Sequence, residues 1–313
     1  LMKNQIAIQM DNIETIDYEF DTSFLIGYEA QNRNYEIFYY NPKDLLIENG
    51  NIQATGYYLK LNLDQNNYFK YTSNKSKVEL KNFSYIFLRQ DPPFNMNYIT
   101  STYILDLLPK TTRVVNDPTA VRNATEKLFT FNFKEFMPPT IVTKNLNEIE
   151  NFLNSFNDII TKPLYGNGGE GIHRFDKNNF DPATIKQYLS LPIMVQKYVN
   201  EIGQGDRRLI IIDGEYCGSV ARIPKHGDIK ANFHAGGIPR KTDLVFRDKE
   251  IVETVGPVLK KYNLFFVGID IIGDYLTEVN VTSPTGIKQI NMLNNVNLEK
   301  VFWDKLEAKY KLV

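Results

Sequence analysis

The chain has 313 residues, and its 36 basic and 37 acidic side chains give a formal net charge of −1. Near-neutral charge argues against nucleic acid or an acidic membrane as a partner, because either favours a strongly basic surface. The single cysteine, Cys217, excludes an intrachain disulfide and a cysteine-rich metal site. No basic segment followed by a long apolar run is found, so we expect a cytoplasmic protein. The length predicts at least two packed units.

The first part of the chain predicts a parallel sheet with an antiparallel excursion. Residues 5–10 and 35–40 are strand-like, and residues 20–33 between them have helical apolar spacing. This strand–helix–strand order predicts parallel pairing. Residues 50–80 alternate apolar and polar positions with Asn and Gly turns, which favours antiparallel strands.

A charged cluster follows the next strand. Residues 85–88 are apolar and run directly into Arg89, Gln90, Asp91 and two prolines. Open α/β sheets bind ligands at the carboxyl ends of their strands, so this cluster is a candidate ligand site. A helix over 97–108 and a strand over 114–116 complete the region.

The middle of the chain surrounds a glycine-rich loop. Asp117-Pro118 marks a boundary, and the pattern predicts one helix over 119–133 with Lys127 inside it. The remaining predictions are strands over 140–142, 159–164, 172–175 and 193–199, and helices over 146–156 and 182–189.

Two hairpins dominate the last third. The first turns at Asp213-Gly214, a strong two-residue turn signal, and the second at Gly273-Asp274. Residues 224–240 have little apolar periodicity and predict a long loop, and such loops are usually functional. Helices are predicted over 247–262 and 298–312.

The loop over 166–171 formally satisfies G-x-G-x-x-G, the dinucleotide fingerprint of nicotinamide dehydrogenases. That motif requires a helix directly after the loop, whereas residues 172–175 are strand-like. Strand–glycine loop–strand order is instead typical of a flap over nucleotide phosphates, and Lys162 would supply a counter-charge. A glycine-rich hairpin without a ligand is the open alternative.

A second constellation consists of Asp270, Glu278 and Asn280. Glu278 and Asn280 are two apart on one hairpin arm and share a face, while Asp270 on the other arm can lie opposite them. Two carboxylates and an amide oxygen suit Mg²⁺ bound to nucleotide phosphates. A solvated acidic face is the alternative, but the apolar neighbours indicate a buried strand pair, where unpaired carboxylates are costly.

Basic residues flank both constellations. Each alone is more often a solvated surface charge, whereas together around a nucleotide they would stabilise a transferring phosphoryl group. The set is Lys127, Lys162, Arg207, Arg208 and Arg222.

These stretches, taken in order, resemble the ATP-grasp superfamily and, within it, the bacterial type of glutathione synthetase. The resemblance rests on residues 89–94, residues 123–129, Lys162-Pro163-Leu164 with the glycine loop, residues 221–224 and the long stretch 266–285. It covers almost the whole chain.

The resemblance implies an α/β, ATP-grasp fold in three units. These would be an N-terminal parallel-sheet domain (1–122), a central lid domain (123–199) and a C-terminal antiparallel-sheet domain (200–313). It also implies the ligation of γ-glutamylcysteine with glycine, driven by cleavage of ATP to ADP and phosphate through an acyl phosphate. Mg²⁺, or Mn²⁺ in its place, would be the cofactor, and related proteins are often tetramers.

Roles for individual residues follow from the resemblance alone. Arg222 and Arg208 would act on the reacting groups, and Asp270, Glu278 and Asn280 would hold the metal. Arg89, Asp91, Ser283 and Thr285 would line the peptide site, and residues 224–240 would close over the intermediate. The backbone of residues 196–199 would contact the edge of the adenine. The residues implied to bind ATP are Lys127, Lys162, Gly166, Gly168, Gly169, Gly171, Gln196, Lys197, Tyr198, Val199 and Asp206.

Two alternatives share this fold. One is a related ligase that joins another carboxylate and amine. The other is a nucleotide-binding regulatory protein without catalysis, against which the intact trio of Asp270, Glu278 and Asn280 argues.

Overall fold

The computed structural model describes residues 4–166, 168–225 and 228–310. Asn167 of the predicted glycine loop, His226 and Gly227 of the predicted covering loop, and the end of the predicted last helix after Tyr310 lie outside the described residues. Within those ranges, every helix is too short or too polar to serve as a transmembrane span.

The N-terminal sheet is mixed, as the sequence predicts. It has eight strands in the order β3-β4-β2-β1-β7-β8, and β5 and β6 both pair with β4. β1 pairs in parallel with β2 and β7, while β2 and β3 pair antiparallel with β4. The strands are β1 (Gln5–Gln9), β2 (Glu36–Tyr40), β3 (Leu45–Glu48), β4 (Asn51–Leu61), β5 (Phe69–Tyr71), β6 (Ser76–Glu79), β7 (Tyr85–Leu88) and β8 (Arg113–Val115).

Three helices accompany this sheet: α1 (Thr22–Asn32), α2 (Met96–Asp106) and α3 (Pro118–Asn123). The single helix predicted over 119–133 is wrong. Ala124 leaves helical geometry at φ −107° and ψ 65°, and a separate 3₁₀ segment, Leu128–Phe136, follows. The break lets the Glu126 carbonyl accept a hydrogen bond from Val279 N at 3.1 Å, a tertiary partner that replaces an intrahelical one.

The second sheet has four antiparallel strands in the order β11-β10-β12-β9. These are β9 (Thr140–Thr143), β10 (Asp158–Pro163), β11 (His173–Asp176) and β12 (Ile193–Lys197). Helix α4 (Leu146–Phe156) packs on it through Ile149, Phe152 and Leu153. Helix α5 (Pro182–Lys186) is shorter than its predicted range of 182–189.

The third sheet has five antiparallel strands in the order β15-β14-β13-β16-β17. Both predicted hairpins are confirmed, whereas the predicted 224–240 loop contains a 3₁₀ turn, Phe233–Ala235, and the short edge strand β15. Helix α7 was not predicted. The elements are β13 (Asp206–Ile212), β14 (Glu215–Ile223), β15 (Ile238–Arg240), α6 (Phe246–Lys261), β16 (Phe266–Ile272), β17 (Tyr275–Asn280), α7 (Ile287–Asn294) and α8 (Leu298–Lys309).

The first and third sheets share their hydrophobic cores. One cluster joins Phe38 and Ile86 to Leu209 and Val267. The Asn116 side chain donates to the carbonyls of Phe266 and Val281 at 2.8 Å and accepts from Phe266 N at 2.7 Å. The four-stranded sheet and α4 have a core of their own. The cleft between this sheet and the rest of the molecule contains the candidate site.

Candidate active site

A cleft open to solvent receives residues from all three sheets. Most of the residues singled out from the sequence line it: Asp91, Lys127, Lys162, Gly166, Gly168, Gly169, Gln196, Lys197, Tyr198, Val199, Asp206, Arg208, Arg222, Asp270, Glu278, Asn280, Ser283 and Thr285. Arg89, Gly171 and Arg207 are not among its lining residues. The expectation that Arg207 joins the other basic residues around a nucleotide is wrong, because its guanidinium pairs with Asp248 at 2.7 Å, away from the lining.

Strand register brings the charged residues of the five-stranded sheet together. Arg208 on β13 lies opposite Asp270 on β16, and Asp270 lies opposite Glu278 on β17. Directly opposite residues on antiparallel strands project from the same face. The three side chains therefore form one row along the cleft.

Two arginines and two aspartates form a buried, electrically balanced cluster. Arg208 Nε and Nη2 contact the Asp270 carboxylate at 2.5 and 2.7 Å. Arg222 Nε and Nη2 contact Asp206 at 2.6 Å, and Arg222 Nη2 also lies 2.9 Å from Asp270 Oδ2. Burial alone would raise the pKa of Asp270, but the two guanidinium groups outweigh it and hold the pKa at about 2. Asp270 is therefore ionised throughout the physiological range.

The two cleft lysines have different partners. Lys127 Nζ lies 3.1 Å from Glu278 Oε1 and donates to the Gly166 carbonyl at 3.2 Å. Lys162 Nζ donates to the Gln196 side chain at 2.7 Å. Burial and, to a smaller extent, the charge of Lys127 lower the pKa of Lys162 to about 8. Both ammonium groups lie where an anionic ligand in the cleft would meet them.

The glycine loop covers one side of the cleft. Gly168, Gly169 and Gly171 have φ values of +62°, +80° and +69°, a region that side-chain-bearing residues rarely adopt. A Cβ on Gly169 would lie 3.0 Å from Lys230 and Asn232, so this loop touches the segment predicted to close the site. Strand β11, not a helix, follows the loop, which removes the structural basis of a dinucleotide fingerprint.

Arg89 lies behind the part of the cleft that Ser283 and Thr285 line. It is 5% exposed, and its guanidinium donates to Ser23 Oγ at 2.9 Å and to the Pro284 carbonyl at 3.0 Å. The Ser283 hydroxyl donates back to the Arg89 carbonyl at 3.2 Å. In this position Arg89 supports the loop that carries Ser283 and Thr285.

Glu126 is a cleft residue that the sequence analysis did not single out. Its Oε1 accepts from the Thr282 hydroxyl at 2.7 Å, next to Ser283. Burial, followed by the nearby charge of Glu278, raises the pKa of Glu126. Its position beside Lys127, within the stretch 123–129 that carries the resemblance, was the available signal.

The donor set of the predicted metal site is chemically suitable for a hard cation. Asp270, Glu278 and Asn280 provide carboxylate and amide oxygens, which Mg²⁺ and similar ions prefer. Both Asp270 oxygens accept from arginines, and Asn280 Nδ2 donates to Asp270 at 3.1 Å. Glu278 retains 26% side-chain exposure. Among the described residues, no group of three or more His, Cys, Asp or Glu side chains could hold a metal, so such a site would need the amide.

Comparison with known proteins places this cleft in a family. Residues 4–122 match the prokaryotic glutathione synthetase N-terminal domain, and residues 126–295 match the prokaryotic glutathione synthetase ATP-grasp domain. The chain belongs to the prokaryotic glutathione synthetase family. It is 42% identical to the glutathione synthetase of Agrobacterium fabrum, over 97% of this chain and 96% of that protein. It is 41% identical to that of Mesorhizobium japonicum, over 99% and 100%.

The fold is correspondingly that of ATP-grasp proteins. A crystal structure of D-cycloserine synthetase superposes with a TM-score of 0.68, covering 97% of this chain and 99% of the other at 13% identity. Glutathione synthetases are ATP-dependent ligases that act on small molecules, and family membership assigns this activity to the chain. The family uses ATP and a divalent metal.

Cys217 is expected to take no part in the reaction. It lies on β14, outside the cleft lining, and burial raises the pKa of its thiol to about 11. The thiolate is the nucleophilic form, so the side chain is inert at neutral pH. Cys217→Ser should retain the phosphate-release rate of the unmodified protein. A strong loss would count against a thiol-independent mechanism.

Proposed function

We propose that the chain ligates γ-glutamylcysteine to glycine, with ATP converted to ADP and phosphate. The cysteinyl carboxylate would take the γ-phosphoryl group to give an acyl phosphate, and the glycine amine would then displace phosphate. Such chemistry needs positioning and charge stabilisation more than covalent participation by the protein. The convergence of Arg208, Arg222, Lys127 and Lys162 on one cleft is the observation that carries the proposal.

The role of each residue would follow from its position in the cleft. Lys127, Lys162 and the 166–171 loop would bind the ATP phosphates, because both lysines and the glycines Gly166, Gly168 and Gly169 line the cleft and Lys127 Nζ donates to the Gly166 carbonyl; glycine backbone N–H groups are well suited to phosphate oxygens. The backbone of Gln196, Lys197, Tyr198 and Val199 would contact the adenine. Asp206 would orient Arg222 through their bidentate ion pair.

Arg222 would face the transferring phosphoryl group, with Arg208 beside it. Both guanidinium groups are buried and already oriented by aspartates, so little reorganisation would precede the transfer. Asp270, Glu278 and Asn280 would hold Mg²⁺, which when bound would offset phosphate charge. Asp91, Ser283 and Thr285 would line the peptide side, and Arg89 would support their loop.

The covering segment would exclude water from the intermediate. Lys230, Ala231, Asn232 and Phe233 line the cleft, and Lys230 and Asn232 lie against Gly169 of the glycine loop. An acyl phosphate hydrolyses when water reaches it, so closure of this segment would protect it. The domain boundaries at 122 and 199, assembly into oligomers and a cytoplasmic location remain predictions from the sequence.

An omission assay tests the proposal. Phosphate release is expected only when ATP, Mg²⁺, γ-glutamylcysteine and glycine are all present, because the amine must displace the phosphate. Each component is left out in turn, and the product is identified by mass. Release that does not depend on glycine would refute the ligase, and turnover only with another carboxylate or amine would redefine its substrates. ATP binding without turnover under any of these conditions would favour a regulatory protein.

A further inference from the structure

Three polar side chains on the four-stranded sheet share one face because of strand register. Gln196 on β12 lies directly opposite Thr140 on β9. Lys162 on β10 lies opposite Met194, two positions from Gln196. Opposite and diagonal neighbours across antiparallel strands are within reach of long side chains. The order Thr140, Gln196, Lys162 across the sheet is thus fixed by the backbone.

Their hydrogen bonds form a chain in which the donor and the acceptor of each bond are fixed. The Thr140 hydroxyl donates to the Pro138 carbonyl at 2.6 Å. A carbonyl can only accept, so the hydroxyl hydrogen is committed and Oγ1 is left to accept from Gln196 Nε2, at 3.0 Å. The amide oxygen of Gln196 must then face Lys162 Nζ, at 2.7 Å. The ammonium can only donate and so requires the same amide oxygen, which means that Thr140 and Lys162 together fix one orientation of the amide.

The anchor of Lys162 is neutral, unlike that of Lys127. Lys127 is held by the Glu278 carboxylate, which cancels much of its charge. Gln196 is the only hydrogen-bond partner of the Lys162 ammonium within the described part of the chain. Gln196 is 1% and Lys162 9% exposed, so solvent does little to screen this charge.

We propose that the Gln196 side chain is a positioning residue that fixes the Lys162 ammonium at the cleft through a neutral hydrogen bond, so that no carboxylate is bonded to the ammonium that an anionic ligand would meet. This inference rests on the proposed function, in which Lys162 meets ATP phosphates. Gln196 would then contact adenine through its backbone and hold Lys162 through its side chain. The charged groups that face Lys162 from neighbouring elements are Lys127, Glu278, Asp270 and Asp206.

Substitutions at Gln196 test the inference. Gln196→Met keeps the length but removes both hydrogen bonds, and the dissociation constant for ATP is expected to rise about tenfold or more. Gln196→Glu places a carboxylate against Lys162 and should weaken ATP binding further, because the lysine charge is then cancelled. Adenosine affinity, measured by competition, should stay close to that of the unmodified protein, and kcat at saturating ATP should fall less than kcat/KM.

Two further variants separate positioning from folding. Thr140→Val removes the hydroxyl that orients the amide and should weaken ATP binding in the same direction, while Thr140→Ser should restore it. Gln187→Glu, an exposed position at the end of α5, is the matched control. Unchanged ATP affinity in Gln196→Glu, or equal losses for ATP and adenosine, would overturn the inference alone. An unmodified protein that binds no ATP would instead overturn the proposed function, and this inference with it.

Discussion

Glu278→Gln is expected to lower kcat by about 100-fold or more. Mutating a group that only orients a metal ligand typically lowers activity by about 10- to 100-fold, and losing the ligand itself should cost at least as much. The dissociation constant for ATP should change far less. Glu278 is the partner of Lys127, so removing its charge frees that ammonium for phosphate and offsets any lost metal contact. Phosphate release measured across Mg²⁺ concentrations, with ATP binding by calorimetry, separates the two effects. Higher Mg²⁺ should recover part of the rate.

Glu253→Gln, on the exposed side of α6, is the matched control and should leave both quantities unchanged. If Glu278→Gln turned over at the normal rate, the assignment of Glu278 to the metal would be wrong. A loss confined to ATP affinity would move Glu278 from the reacting centre to nucleotide binding.

Arg222→Met should abolish detectable turnover and also destabilise the protein. Arg222 is 3% exposed and is the shared partner of Asp206 and Asp270. Removing one member of a buried ion pair typically costs about 3–5 kcal/mol, because the remaining charge stays buried without a partner. The free energy of unfolding, measured with denaturant, should fall by an amount of that order.

Arg222→Lys distinguishes a loss of stability from a loss of catalysis. Lysine keeps the positive charge but not the planar fork that contacts a carboxylate through two N–H groups. We expect a smaller loss of stability and still a fall in kcat of about 100-fold or more. Arg33→Lys is the control, because Arg33 also pairs with several carboxylates, Glu29, Asp304 and Glu307, but lies outside the cleft lining. Wild-type kcat in Arg222→Lys would remove Arg222 from the proposed transfer step.

Local signals in the sequence were sufficient for most elements. The two hairpins were predicted because Asp213-Gly214 and Gly273-Asp274 tolerate left-handed geometry, and the structure has φ values of +50°, +81° and +55° at Asp213, Gly214 and Gly273. The break after α3 had no such signal. It depends on the contact between the Glu126 carbonyl and Val279 N, and contacts between distant parts of a chain override local helix preference.

The same distinction applies to the site. Glu278 and Asn280 were predicted to share a face because strand alternation is local. The pairing of Asp270 with Arg208 and Arg222 depends on the register of β13 against β14 and β16, which the sequence does not reveal. The sequence does not predict the location of Arg89 behind the Ser283 loop either, because the contacts of Arg89 with Ser23 and Pro284 join distant segments.

The Asn116 bridge between the first and third sheets has a consequence for motion. Its three hydrogen bonds and the shared hydrophobic cores tie those two sheets together, whereas the four-stranded sheet has a separate core, so we expect the two parts to move as separate bodies. Opening and closing are then expected to be a rotation about residues 137–139 and 198–205. Lys162 would then move with the four-stranded sheet, whereas Arg222 would stay with the other two sheets. Closure would thus bring the charges proposed to bind phosphate next to those proposed to face the transferring phosphoryl group, and would couple ATP binding to the start of the reaction.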